Sequence, residues 1–268
     1  MNADHSWNLT VPNLVVSRCL NQENCRYNAE ILQENFLEEL LPYINTRLVC
    51  PEVEIGMPTP RPPIHIISQG SALRLYQPKT GEELQEEMNE FAPRRLDSYG
   101  EVDGFFMKAR SPSCGIFDTR YFSDEQAEKE VGQGPGAFTS HALKLYPELP
   151  FADESLLKIN RFRENFLTAL FASARIRTYP GNLEDFHNEY QLLILIRNPK
   201  ILGLLEQLLK VGNHLYYTKL CLLTLRQSPD PGSCAEIDRA LKARSGPPSS
   251  FPTEIQRYLD PYPCDLRP

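Results

Sequence analysis

Up to about residue 150 the chain alternates short strand-like runs with amphipathic stretches, and this alternation restricts the fold more than any other feature. Residues 14–17 form a compact apolar run, 30–43 place apolar side chains at helical spacing, and 47–50 return to a strand-like run. Runs at 64–68 and 71–76 then lie either side of a Gln69-Gly70 turn, followed by a Glu-rich helical stretch at 80–91 and a further run at 102–108. Strands separated by helices predict an α/β domain with an open, Rossmann-like parallel sheet. From residue 153 onward the pattern is almost entirely helical, at 154–178, 183–196, 200–210, 214–226 and 234–243. The expected stops are Pro180-Gly181, Asn198-Pro199, Gly212 and a loop over 228–232. The expected organisation is therefore an α/β domain over 1–152 and an all-α domain over 153–268, without internal repeats. Residues 245–252 form a short proline- and serine-rich loop.

Charge follows the same division. Residues 1–150 carry 13 Lys and Arg against 22 Asp and Glu, a net of −9, whereas 151–268 carry 15 against 13, a net of +2. Any anionic polymer would meet the second half more readily, although +2 is a small electrostatic footprint for nucleic acid. The apolar stretches, such as 192–196, are too short to cross a bilayer, and residues 1–12 have neither a basic start nor an apolar core, so a soluble, cytoplasmic protein without a membrane partner is expected. Seven cysteines, an odd number, argue for metal binding or reactivity over a disulfide framework.

Three of these cysteines stand where an expected strand ends. Cys19 follows Leu14-Val15-Val16-Ser17, Cys50 follows Leu48-Val49, and Cys114 lies just beyond the run 102–108. Ligands of open parallel sheets bind in the crevice outside the carboxyl ends of the strands, so these distant thiols can converge there and leave one coordination position open. Soft thiolates select zinc, Cu(I) or iron-sulfur clusters, and the residues alone do not choose among them. A cysteine at one strand end is usually a small buried hydrophobe, a reading that three such loops together weaken. Cys25, six residues after Cys19, is spaced to join the site as a fourth ligand, whereas Cys221, Cys234 and Cys264 have no metal-ligand spacing and read as structural. His187 lies on an apolar helix face and reads as a core histidine. Glu82, Glu83, Glu86 and Glu87 read as a solvated helix face.

Ser17-Arg18-Cys19-Leu20 with Cys25-Arg26-Tyr27, Cys50-Pro51-Glu52-Val53 with Pro58-Thr59-Pro60-Arg61-Pro62-Pro63, and Ser111-Pro112-Ser113-Cys114-Gly115 resemble, in order and context, the motifs of the thiouracil desulfurase family. The second half is similar to a helical domain often fused to such enzymes, through Arg163-Glu164-Asn165-Phe166, Phe186-His187 and Tyr258-Leu259-Asp260-Pro261-Tyr262-Pro263. Two-domain members resemble the tRNA 4-thiouridine desulfidases. The resemblance implies a [4Fe-4S] cluster on Cys19, Cys50 and Cys114, whose open iron takes the thiocarbonyl sulfur while water attacks the carbon, a hydrolysis with no net redox change. Glu52, two residues from a ligand, is then the first choice for acid/base work, with Ser111 and Ser113 orienting the water or the pyrimidine edge. Taken by itself, Glu52 is equally a solvated loop carboxylate. The chain departs from the family's Arg-Tyr-Asp-Gly in reading Arg26-Tyr27-Asn28-Ala29, and where a basic stretch is expected after His187 it reads Asn188-Glu189-Tyr190-Gln191.

The expected substrate is 4-thiouridine in tRNA. Lys158, Arg161 and Arg163 are its candidate contacts, on an expected helix that also carries Arg175 and Arg177. Lys158 and Arg161, three apart, would share a face, which equally describes an ordinary solvated helix. Tyr179, Tyr216 and Tyr217 are candidates for stacking on an unpaired base, though helical aromatics more often belong to a core. Alternatives are a desulfurase of a small thiolated pyrimidine such as free thiouracil, and a non-catalytic zinc- or cluster-bearing binding module, which loss of the family's Asp at Asn28 would favour. Oligomeric state is not legible in the chain.

Overall fold

The computed structural model describes residues 10–70, 72–179 and 182–232. The expected elements at 234–243, the motif at 258–263, the loop at 245–252, and Cys234 and Cys264 all lie outside them. Two compact units are present. One comprises Asn13–Pro147 with Phe151–Lys158; the other includes the helices from Ile159 onward.

In chain order the first unit contains β1 (Asn13–Ser17), α1 (Asn35–Leu40), β2 (Asn45–Val49), α2 (Pro51–Glu54), β3 (His65–Gln69), β4 (Ala72–Gln77), β5 (Glu82–Glu83), α3 (Gln85–Ser98), β6 (Gly104–Met107), β7 (Thr119–Phe122), β8 (Glu130–Gly134), α4 (Ala137–Leu145) and β9 (Phe151–Asp153). The main sheet is fully parallel, in the order β2-β1-β6-β9. Every residue of β1 and β6 is buried, as expected for central strands covered on both faces. Phe105 of β6 stacks on its register partner Phe151 of β9, with ring centroids 4.4 Å apart. The chain leaves β1 for β2 on one side, and β6 pairs on the other. The strand order thus reverses at β1, the topological position at which open α/β sheets place their ligand crevice.

The expectation of a single sheet is corrected in one respect. The strands either side of Gln69-Gly70 form a hairpin, with Gly70 at φ +65°, but it belongs to a second, mixed sheet ordered β5-β4-β3-β7-β8. The short strands β5, β7 and β8 carry no apolar alternation from which to read them. Because Glu82 and Glu83 pair with β4, the following helix starts at Gln85 rather than residue 80, and it runs through Pro93 to Ser98.

The helix expected from residue 154 starts later, because Phe151–Asp153 joins the parallel sheet beyond β6, and Leu156–Lys158 is a 3-10 turn. In the helical unit α5 (Asn160–Arg177) is buried without interruption from Asn165 to Ala174. It is followed by α6 (Leu183–Arg197), α7 (Leu202–Lys210) and α8 (His214–Leu225). Gly212, at φ +70°, ends α7, and Pro199 opens the 3-10 turn after α6. No helix among the described residues is long and apolar enough to cross a membrane.

Candidate active site

Three adjacent parallel strands deliver the thiols. The amide of Arg18 donates to Val49 O (2.8 Å), so the chain leaving β1 stays tied to β2, and Leu20 N closes a turn on Ser17 O (2.9 Å) to place Cys19. Cys50 caps α2, whose first residue is Pro51; a proline there lacks only an N–H that would have had no partner. Beyond β6, the Ser111 hydroxyl oxygen accepts from the amides of Ser113 (3.3 Å) and Cys114 (3.0 Å) and shapes the turn. That turn docks on the start of α4. Ala137 N donates to Pro112 O (2.8 Å), Phe138 N to Ser113 O (3.0 Å), and Thr139 Oγ1 to Cys114 O (2.8 Å). Gly136 is required at this approach, since a Cβ there would stand 2.5 Å from the Ser113 carbonyl carbon.

Cys19, Cys25, Cys50 and Cys114 all line one cavity of about 660 Å³, within the range of small-molecule sites. All four thiols are free and buried. Cys19, Cys25 and Cys50 pack together against Val53. The Cys25 thiol is pushed up to about 11, chiefly by its hydrogen bond with the Cys19 sulfur. Cys50 is pushed higher by the Cys25 thiol and by burial. Cys114 is raised by burial against hydrogen bonds from Ser17 and Ser111 that favour its thiolate. Cys25, Cys50 and Cys114 are thus held toward the thiol form, and a bound cation would supply the charge that converts them to thiolates. This buried, all-sulfur donor set fits a soft metal group. Among the described residues no three His, Cys, Asp or Glu side chains converge on a single-ion position.

Glu52 is the one carboxylate among the described residues of the cavity wall. Arg61 holds its Oε2 through Nε (2.7 Å) and Nη2 (2.6 Å), and the Ser113 hydroxyl donates to Oε1 (3.0 Å). Arg61 is itself buried and anchored through Nη1 on Pro58 O and Thr59 Oγ1, both at 3.2 Å. Glu52 is therefore no solvated loop residue but a fixed group. Ser111 lines the cavity, whereas Ser113 is fully buried behind it and reaches only Glu52 among ionisable side chains. The Ser113 expected to meet substrate instead supports the carboxylate.

Several residues here were not singled out from the sequence. Glu54 Oε1 accepts from Cys50 N (3.0 Å) and Arg18 Nη2 (2.8 Å), while Oε2 meets Arg95 Nε (2.9 Å), so one carboxylate joins two thiol-bearing loops to α3. Its four-residue spacing from Cys50 was the available signal. His65, Arg110 and Arg120 also line the cavity, and burial, helped by Arg120, holds His65 below the usual imidazole range. The Ser17 oxygen accepts from Lys108 N (3.0 Å). Gly134-Pro135-Gly136, just before a helix, was the sequence signal for the α4 approach.

Elsewhere the expected residues separate. Lys158 ends the 3-10 turn and Arg161 lies in the first turn of α5, so the two do not share a helix face. Arg161, exposed, lies over the ring of Phe162 at 5.3 Å, and Phe162 is itself 38% exposed. None of Lys158, Arg161 or Arg163 lines the cavity. Tyr217 is fully buried with its hydroxyl 3.2 Å from His187 Nδ1, and both are core residues, as is Cys221; Tyr216 remains exposed. Tyr179 donates to Glu189 at 3.1 Å and packs edge-on against Phe186.

The profile of the 2-thiouracil desulfurase family matches residues 14–154, a span that holds all four cavity thiols, Glu52 and Ser111. An uncharacterized protein of Bacillus subtilis (strain 168), YbbK, is 31% identical over 111 residues, covering 38% of this chain and 72% of its own length. Among solved structures, the [4Fe-4S]-dependent thiouracil desulfidase TudS shares 26% identity over 55% of this chain and 93% of its own, with a TM-score of 0.44.

Proposed function

The chain belongs to the 2-thiouracil desulfurase family, and from that premise we propose that it replaces the sulfur of a thiolated uracil by oxygen, using a [4Fe-4S] cluster held by Cys19, Cys50 and Cys114. The observation that carries the reading is the meeting of thiols from three parallel strands with a single clamped carboxylate in one cavity. Buried thiols delivered by three separate strands around one cavity suit a soft, polynuclear group. When bound, such a cluster supplies a Lewis-acidic iron with an affinity for thiocarbonyl sulfur.

The remaining chemistry falls to the protein. The reaction C=S + H₂O → C=O + H₂S transfers no electrons, so it requires a base for the water and a proton for the departing sulfur. Glu52 is the base. The Arg61 pair and the Ser113 hydroxyl fix its orientation, and fixed orientation is what makes a carboxylate effective in proton transfer. Ser111, whose oxygen accepts two amide hydrogens and whose hydroxyl faces the Cys114 sulfur, lines the cavity where its proton can turn from that sulfur to a polar edge of the pyrimidine.

The finer assignment is 4-thiouridine in tRNA. It is supported by the +2 charge of the second half and by the exposed Arg161-Phe162 pair at the start of α5, a cation beside an aromatic of the kind that meets phosphate and base. The test is anaerobic reconstitution with iron and sulfide, followed by sulfide release from thiolated tRNA and from free thiouracil. Cys50→Ala should retain neither iron nor turnover, and normal iron in that variant would end the cluster assignment. Glu52→Gln should keep the cluster absorbance and lose about 10²- to 10⁴-fold in rate. Reversing Lys158, Arg161 and Arg163 to Glu should weaken tRNA binding and flatten its salt dependence while sparing free thiouracil. No effect on tRNA would assign the enzyme to the small substrate.

A further inference from the structure

Four thiols line the cavity, and the proposed ligation uses three. The fourth, Cys25, is 5% exposed and packs with two of the three proposed ligands, Cys19 and Cys50. Cys50 Sγ donates to its carbonyl at 3.7 Å. Cys19 and Cys25 ride on one loop, tied by Glu23 N on Arg18 O and Cys25 N on Glu23 O, both at 2.9 Å. Cys50 belongs to a different segment, held by its place at the head of α2 and by Glu54, which also binds Arg18. Cys114 stands apart from the packed group.

From this arrangement we propose that Cys25 is a resolving thiol, which in the metal-free protein captures oxidised Cys19 as a disulfide and so protects a ligand position from irreversible oxidation. The oxidant is a peroxide small enough to enter the cavity. The Cys19 sulfur attacks the O–O bond of hydrogen peroxide, giving Cys19 sulfenic acid and one water. Cys25 then attacks that sulfur, the S–O bond breaks, the S–S bond forms and a second water leaves. Two thiols are oxidised by two electrons in all, and the peroxide is reduced to two waters. Closing so short a loop carries little entropic penalty. A dithiol reductant restores both thiols and with them the capacity to take up iron.

The effect of the disulfide on metal loading rests on the ligand assignment above, but its formation does not. Full-length wild type and Cys25→Ser, stripped of iron under reducing conditions, are exposed to hydrogen peroxide, digested and mapped by mass spectrometry, and iron uptake is measured before oxidation, after it, and after dithiothreitol. A Cys19–Cys25 cross-linked peptide with Cys114 still free is expected in wild type, with iron uptake lost on oxidation and recovered with dithiothreitol. In Cys25→Ser, Cys19 should advance to sulfinic acid and dithiothreitol should recover nothing. Wild type without a Cys19–Cys25 link, or a Cys25→Ser protein that recovers as well as wild type, overturns the proposal. So does an unoxidised Cys25→Ser protein that takes up no iron, which would make Cys25 a ligand. Wild type that takes up no iron before oxidation instead refutes the cluster reading, and the peptide map still decides the thiol pair.

Discussion

The turn that carries Cys114 is gripped from outside by the start of α4, whereas in the loop from Cys19 to Glu30 the inner part is tied to Leu32, Glu34 and Cys50 and only its outer end, at residues 28–30, closes on itself. The first leaves no room for a methyl group at Gly136 and passes its carbonyls directly to the amides of α4. That outer end relies on local contacts, such as Ala29 N on Arg26 O (2.9 Å) and the exposed pair of Asn28 Nδ2 and Glu30 Oε2 (2.6 Å). It tolerates a left-handed alanine, Ala29 at φ +57°. Both departures from the family's Asp-Gly pair fall at the outer end of this loop, directly after Tyr27, whose carbonyl accepts from Arg61 N (2.8 Å).

The contrast can be broken most forcefully at Gly136. Alanine there meets backbone that cannot swing aside, so urea denaturation should show a loss at the upper end of the roughly 1–3 kcal/mol typical of overpacking, together with reduced iron retention. Gly132→Ala, with nothing within 4 Å of its Cβ, is the control and should be far milder. An equal effect at the two sites would erase the distinction.

Cys50, between the extremes, depends on one carboxylate. Glu54→Gln keeps the shape but withdraws the charge shared by Arg18 and Arg95, and about 1.5 kcal/mol should be lost, at the low end for hydrogen bonds to charged groups because these side chains are partly solvated. A stability within error of wild type would show that the network contributes only placement. The smallest effect is a gain. Ala29→Gly relieves a left-handed conformation that costs an L-residue about 1–2 kcal/mol, while the freer unfolded chain takes back part of it, leaving roughly 0.5 kcal/mol of added thermal or denaturant stability. Destabilisation at this position would mean that the outer end of the loop does not close on itself alone.

The parallel core was legible because β1 and β6 are buried on both faces and read as unbroken apolar runs, and the three cysteines were legible because each stands at a strand's end. The second sheet was not, because Glu82-Glu83, the four-residue β7 and the polar β8 owe their pairing to tertiary position rather than to apolar alternation. Lys158 was misplaced on a helix because the sequence around it is helix-compatible, while Phe151–Asp153 is drawn into the sheet by pairing with β6. Within the site, Glu52 could be nominated from its neighbourhood to Cys50. Its clamp by Arg61, and the diversion of Ser113 from substrate to support, depend on chain segments brought together only by folding.

The strand order around β1 also dictates a sequence of events. Cys19, Cys50 and Cys114 come from separate stretches of chain and meet only once β1 has paired with β2 on one side and β6 on the other. Unlike a pair of cysteines two residues apart, which can seize a metal while the chain is still unfolded, this donor set comes into being with the finished sheet. Such non-local pairings are the slow part of folding. On the proposed ligation the chain would therefore fold before its site exists and be loaded afterwards, which makes the delivery of iron and sulfide a step of maturation performed on a native protein.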